Sequence, residues 1–450
     1  MFTTRPETHL SHPPVYRVLT LLGRLVHRLP IGTNLGLFHC LWMLVRGELL
    51  AARGAVIPGL SALGLRAAAV RRAWAALGQG AWTSAQLLGW WLAIVRDEGR
   101  WQAHTYEGYH PLAVDVTGFW RPRLQGCPTT HYHAQAGKAL PAIPVGIIAR
   151  VGSVDGQRFG VPLGFVRADP ADPSGRAHNQ ALVRQAVTTG APDDALIFDR
   201  GFGVALLQAE RSTAYVVRLA KNVTARRASP AAYRGRGRPP TRGEMVRPLA
   251  RRHRTRHGER RIPATPPDRR ETWREGDRVV RAEQWDDLVL SDAAPGSPTF
   301  RVVVIHDPRY TTPLLLATPL ALSPRAMRDL YRDRWPVEQL PLVAKQLLGA
   351  ARQFVSAPET CQRLPELTLL AGAVLTYAAA TQPAVPTGAW DRCPQRTPGR
   401  LRRVLATAFW PCAFVLPARL RTKAAPTRHF RTGFFGQRHR PPPQTAAAAA

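Results

Sequence analysis

The chain has 450 residues, 45% of them hydrophobic and 20% charged, enough for two or three domains and a sizeable core. Its 62 Lys and Arg face only 30 Asp and Glu, and the net charge of +32 opposes folding by self-repulsion and invites a polyanion, most commonly nucleic acid. Arginine-rich coding bias explains the scarcity of lysine but not the two-to-one basic excess, and five scattered cysteines without a CxxC pair exclude a disulfide framework or zinc ribbon and fit a reducing compartment.

Residues 1–105 read as a helical domain, with apolar residues at helical spacing in "LWMLVRGELLAA", "LRAAAVRRAWAAL" and "SAQLLGWWLAIV". The N-terminus lacks the continuous apolar run of a signal peptide. "IGTNLGLFHCLWMLV" is interrupted by Thr33, Asn34 and His39 and is short of the roughly 20 residues of a bilayer span, so it reads as a buried helix. Between 56 and 78, two short helices around Gly64 have the pattern of a helix-turn-helix, with Arg66, Arg71 and Arg72 on the second. A plain helical hairpin has the same pattern.

After 105 the texture becomes β-rich. "HPLAVDVTGFW", "AIPVGIIARVGS" and "QRFGVPLGFVRA" read as three strands, expected to be antiparallel. "SGRAHNQALVRQAVTTG" reads as a helix capped by Ser174, "ALIF" as a buried strand ending at Asp199, "GVALLQAERS" as a helix and "TAYVVRLA" as a strand. This order predicts an α/β fold with a mixed sheet and helices on both faces over 106–220. Cys127, His131 and His133 lie close together, but no second ligand pair has zinc-site spacing.

Residues 221–322 read as a β-rich insertion whose start, around "YRGRGRPP", is too basic and too rich in Pro and Gly to form a core. Arg236 and Arg238 there suit phosphate contacts, either as a flexible loop or as a minor-groove hook. Residues 323–385 return to helix, and 386–450, dominated by Pro, Arg and Ala, are expected to be a disordered basic tail.

The chemistry gathers in "YRDRWPVEQLPLVAK". On one continuous helix Tyr331, Arg334, Glu338 and Lys345 lie within about 60° of one another around the axis. That face offers a carboxylate for a metal, a guanidinium and an ammonium for phosphate, and a phenol for stacking or hydrogen bonding. A solvated Glu–Arg pair is the plainer reading, and Pro336 must either kink the helix or begin a new one. Two aspartates stand out by context: Asp115 interrupts an apolar strand and Asp199 ends another, positions costly for a carboxylate unless it is paired or metal-bound.

Tyr331, Arg334, Glu338 and Lys345 match the Y-(2)-R-(3)-E-(6)-K signature, and "VDVTG" and "IFDRGFG" resemble the aspartate-bearing segments, of bacterial insertion-sequence DDE transposases of the YREK (IS-four-like) group. The resemblance spans roughly residues 105–350. It implies an RNase H-like core interrupted by the β-rich insertion. It also implies a catalytic triad of Asp115, Asp199 and Glu338 holding two Mg²⁺ (Mn²⁺ substituting), with Tyr331, Arg334 and Lys345 on DNA phosphates. Trp285 and Trp273 become candidates to stack on a flipped base, although a buried tryptophan is the plainer reading. The implied partners are double-stranded DNA, as terminal inverted repeats and target, and a second copy of the chain on paired ends, in the bacterial cytoplasm at the nucleoid and without a membrane. A decayed DNA-binding copy and an RNase H-like nuclease are the alternatives.

Overall fold

The computed structural model describes residues 13–172, 175–230, 235, 242–255, 258–294, 296–408 and 414–422. Ser174, Arg236, Arg238 and residues 423–450 lie outside them.

The described chain begins with helices α1 (Pro13–Val26), α2 (Thr33–Arg46), α3 (Glu48–Ala51), α4 (Val56–Ser61), α5 (Ala67–Gln79) and α6 (Ser84–Asp97). The run read as a buried helix is α2, with Leu37, Phe38, Leu41, Met43, Leu44 and Val45 all inaccessible to solvent. Helix α6 opens on a capping box. The Thr83 hydroxyl accepts from the Gln86 N–H, and the Gln86 side chain accepts from the Thr83 N–H.

Strands β1 (Trp101–Ala103), β2 (His110–Trp120), β3 (Thr130–His133), β4 (Lys138–Val154) and β5 (Gln157–Arg167) follow, then α7 (Arg176–Thr189), β6 (Asp194–Phe198), α8 (Val204–Ala209) and β7 (Tyr215–Arg218). β4 is the antiparallel neighbour of both β2 and β5, and the short Asp155-Gly156 turn joins it to β5. The α7 and α8 crossovers permit parallel pairing, and β6 lies parallel to both β2 and β7. The order β5–β4–β2–β6–β7 is a mixed sheet that fits the RNase H-like arrangement implied by the resemblance.

Period-2 alternation sends the strand residues to two cores. Leu112, Val114 and Ile148 pack toward Leu182, Val183 and Ala186 of α7. Ala113, Phe119, Val145 and Ile147 join the other face. That face is covered by helices arriving later: α9 (Pro324–Arg332), α10 (Trp335–Leu342) and α11 (Pro358–Thr381). Helix α11 is long and apolar enough to cross a membrane, yet it is the central helix of this core, almost wholly buried.

Two expectations are corrected. The N-terminal helices do not have a core of their own: α1, α2 and α6 share one continuous cluster with β4, β5, α10 and α11. Their apolar stripes are too wide to be covered by one another, and α11 needs cover on every side.

The insertion, expected as a β-rich interruption of the core, joins the core sheet. It contributes β8 (Ala225–Arg227), β9 (Met245–Val246), β10 (Arg251–Thr255), β11 (Gly258–Ile262), β12 (Arg269–Glu275), β13 (Arg278–Leu290), β14 (Phe300–His306) and β15 (Leu314–Thr318). β15 pairs with β7, so this region extends the core sheet across its edge, and a described edge strand is thereby satisfied. Among the described residues, β10 and β11 form a separate two-stranded ribbon.

Finally, the described residues among 386–422 are not a featureless tail. They hold α12 (Pro398–Thr407) and α13 (Ala418–Arg421). Thr397 caps α12, and Leu401 and Leu405, four residues apart, are buried against α2 and α11. The basic composition hid two leucines at helical spacing.

Candidate active site

The parallel pairing of β2 with β6 matches Ala113 with Ile197. Continuing that register by two residues sets Asp115 level with Asp199, on adjacent strands and on the same face of the sheet. Both aspartates line a cavity of about 380 Å³, beside His131, His178 and Asn179. Local backbone holds each carboxylate: Asp115 accepts from the Val116 N–H at 2.9 Å, and Asp199 from the Gly201 N–H at 2.7 Å. A Cβ at position 201 would lie 3.0 Å from Asp199 Oδ1, a tight contact that glycine avoids.

The face bearing Asp115 is the one α10 covers. Ser323 caps α9 and Pro324 begins it. The helix ends at Arg332, and α10 starts afresh at Trp335 with Pro336 in its first turn, where a missing N–H costs nothing. The expectation of one continuous helical face is therefore corrected: the chain breaks at Asp333 and Arg334. Because Arg334 begins the new helix, it still sits one turn from Glu338, and their ion pair measures 2.5 Å. Pro341 then removes another helical donor, and a π-helical turn over Val343–Leu347 follows. From this widened turn Lys345 reaches back to β2. Its ammonium donates to the Thr117 hydroxyl at 2.7 Å and lies 4.6 Å from the Trp120 ring centre.

The structure thus brings Asp115, Asp199, Arg334, Glu338 and Lys345 to one electrostatic neighbourhood. Burial, opposed by Arg334 and aided by Asp199 and Glu338, raises the Asp115 carboxyl from 3.8 to about 7. Burial also brings Lys345 down to about 8, against the pull of Asp115. At Arg334, burial opposes the charge but Tyr331, Glu338 and Asp115 outweigh it, so the guanidinium stays firmly protonated.

Among the described residues, no three His, Cys, Asp or Glu side chains stand close enough to hold one metal ion. Glu338 is engaged by Arg334 instead. The two aspartates, by contrast, are hard oxygen donors in a shared cavity, one carrying a carboxyl whose ionisation is opposed by burial and by its neighbours. Those features suit a divalent cation.

Tyr331 and Arg334 turn toward a second cavity, of about 410 Å³. The Arg334 guanidinium lies 5.6 Å from the Tyr331 ring centre, and the buried Tyr331 hydroxyl has no hydrogen-bond partner. Arg158, Arg218 and Arg309 enter the same cavity from β5, β7 and the turn after β14. Sequence reasoning missed all three. They come from distant segments, and nothing local distinguishes them from the other arginines.

The stacking candidates need correction. Trp285 is wholly buried, and its indole N–H donates to the Thr265 and Pro266 carbonyls at 3.2 and 2.9 Å. Trp273 is half-buried, with the Arg328 guanidinium 5.3 Å from its ring. Two exposed aromatics line the arginine-rich cavity, Trp335 at 58% and Tyr310 at 64%, and Tyr132 lines the cavity of the aspartates. Trp335 follows Arg334 directly, at the start of a helix, and that position was the available signal. Arg71 and Arg72 are exposed on α5, preceded by a turn in which Gly64 has φ +73°, so the two-helix geometry near 56–78 is present. Cys127, His131 and His133 form no metal cluster. His133 instead accepts from the Ala136 N–H.

Residues 154–359 match the family model described as a transposase DDE domain, which supports a transposase function. The matched span includes Asp199, Tyr331, Arg334, Glu338 and Lys345 and begins after Asp115. No curated protein matches the chain.

Proposed function

We propose that this chain is a DNA transposase that cuts at the ends of a mobile element and joins them to target DNA, with Asp115, Asp199 and Glu338 as its metal-holding carboxylates. The observation that carries this reading is the register of β2 and β6, which sets Asp115 level with Asp199 on the sheet face covered by Glu338.

When bound, divalent ions such as Mg²⁺ supply an activated oxygen nucleophile and relieve charge on the leaving oxygen. The remaining work falls to this chain's own residues. Asp115 and Asp199 would hold the cations through oxygen, and Asp115 would have to give up its proton to do so. Arg334 holds Glu338 until a DNA phosphate offers the guanidinium a bidentate alternative, and that exchange frees the third carboxylate. Lys345, fixed against Thr117, places a positive charge on the Asp115 side, where the scissile phosphate must lie. Arg158, Arg218 and Arg309 hold the flanking phosphates, and Trp335 and Tyr310 offer faces to a displaced base. The exposed arginines of α5 contact duplex DNA near the element ends. Two copies act on paired ends.

The test uses duplexes cut from the DNA flanking the coding gene, incubated with the protein and Mg²⁺. Wild type nicks and joins them, whereas Asp115→Asn, Asp199→Asn and Glu338→Gln do neither. Full activity in any of the three removes that residue from the triad. Cleavage without joined product identifies a nuclease instead.

A further inference from the structure

Asp333 sits in the break between α9 and α10, between the two clamp residues Tyr331 and Arg334. Its side chain is wholly inaccessible to solvent. A buried carboxylate is expensive, and an apolar residue would close the break at lower cost. What surrounds it comes from three other parts of the fold. The Tyr106 hydroxyl donates to Oδ2 at 2.8 Å. His104 Nδ1 lies 2.5 Å from the same oxygen, and its Nε2 lies 2.6 Å from the Ser153 hydroxyl on β4. With the proton on Nδ1, His104 donates to Asp333 and accepts from Ser153. Arg158, from β5 and the arginine-rich cavity, has its Nε 3.4 Å from Oδ1.

The loop supplying His104 and Tyr106 also grips the other end of α9. The Glu107 carboxylate accepts from the Ser323 N–H at 2.9 Å and from the Ser323 hydroxyl at 2.5 Å. Ser323 is the residue that caps α9. Glu107 has φ +48°, a left-handed conformation costly for a residue with a side chain and kept only where its surroundings impose it. The turn is closed by paired backbone bonds between Tyr106 and Tyr109, at 2.8 and 2.9 Å. One loop therefore holds both ends of a single nine-residue helix. The bonds Ser153–His104–Asp333 have the connectivity of a hydrolytic triad. Here, though, the carboxylate also takes Tyr106 and faces Arg158, and a mechanical role uses all four contacts.

We propose that residues 104–107 form a splint along α9 and that Asp333 is its anchor, a positioning residue that sets the direction of Arg334 and, through it, of Glu338. The inference rests on the proposed active site. The splint fixes where α9 stops, and so where the guanidinium of the next residue points. Small displacements matter at such a place, since a shift of about 1 Å can cost on the order of a hundredfold in rate.

The experiment measures single-turnover cleavage of the flanking-DNA duplexes at saturating protein, with DNA affinity and thermal unfolding followed in parallel. Asp333→Asn is expected to lower the cleavage rate roughly 10- to 100-fold while DNA affinity stays within about threefold. The double variant Asp333→Asn/Arg334→Ala is expected to be no slower than Arg334→Ala alone, because the two act as a unit. A purely structural role would instead give additive losses that track unfolding temperature, and that result overturns the proposal. If Asp333→Asn does not fold, Tyr106→Phe, which removes one donor, decides by the same non-additivity with Arg334→Ala. Glu338→Gln separates the two levels of argument. If it cleaves normally, the active-site reading itself is wrong. If it is inactive while Asp333→Asn matches wild type, only the splint fails.

Discussion

Replacing Asp115 by Asn should stabilise the metal-free protein at neutral pH while removing its activity. The Asp115 carboxyl is raised from 3.8 to about 7, first by burial and then by Asp199 and Glu338. The folded protein therefore binds this proton more tightly than the unfolded chain does. The benefit is complete below about pH 4 and is lost as pH rises through about 7, where the wild type must carry a charge its surroundings oppose. At about 1.36 kcal/mol per pH unit the penalty approaches about 4 kcal/mol, and the partial access of the carboxylate to water brings it to about 2–4 kcal/mol. Asn has no such charge, and its side-chain oxygen can keep the bond from the Val116 N–H. Urea unfolding in EDTA, from pH 4 to 8.5, should show equal stability at the acid end and a growing advantage for Asp115→Asn above about pH 6. Added Mg²⁺ should then raise the wild type and leave the variant unchanged. A variant less stable than wild type at pH 8, or an equal Mg²⁺ effect on both, refutes the reasoning.

Other perturbations follow from the same geometry. Arg334→Ala frees Glu338 and should tighten Mn²⁺ binding in the absence of DNA, measured by electron paramagnetic resonance, while weakening the binding of DNA ends. Lys345, with its pKa lowered to about 8, should lose its charge between pH 7 and 9, so its contribution to DNA affinity should fade over that range. Lys345→Arg stays charged and should flatten that part of the pH profile. Trp285→Ala should cost about 3–5 kcal/mol of stability, whereas Trp335→Ala should change stability by about 0.5 kcal/mol or less and weaken single-strand binding by about 1–3 kcal/mol. Deleting residues 386–450 removes α12 and should lower the unfolding temperature, because Leu401 and Leu405 fill the core beside α2 and α11.

The strands and helices from 110 to 218 were legible from their patterns: near-continuous apolar runs bounded by glycine or proline in β2, β4 and β5, which are buried on both faces, and i, i+4 spacing in α7. Asp115 and Asp199 stood out as charges in apolar strands, and their side-by-side placement needed only the parallel register. The break at Arg334 was half legible. Pro336 announced it, but whether the chain kinks or restarts depends on how α9 is held, and the loop that holds it lies more than two hundred residues earlier in the chain. Separation along the chain likewise hid Arg158, Arg218 and Arg309, which converge only in three dimensions. Trp285 misled because an aromatic in a polar-looking strand is ambiguous until its neighbours are known: its ring fills the second core and its N–H meets two carbonyls. The α12 helix was lost in composition, where arginine and proline outweighed two well-spaced leucines.

Cleavage of the gene's own flanking DNA in the presence of Mg²⁺ bears most directly on the account, compared among wild type, Asp115→Asn, Asp199→Asn and Glu338→Gln. Strand breaks at one fixed position with wild type, joined products on longer incubation, and neither in the three variants are the expected results. Cleavage that survives loss of Asp115 and Asp199 together would contradict the account.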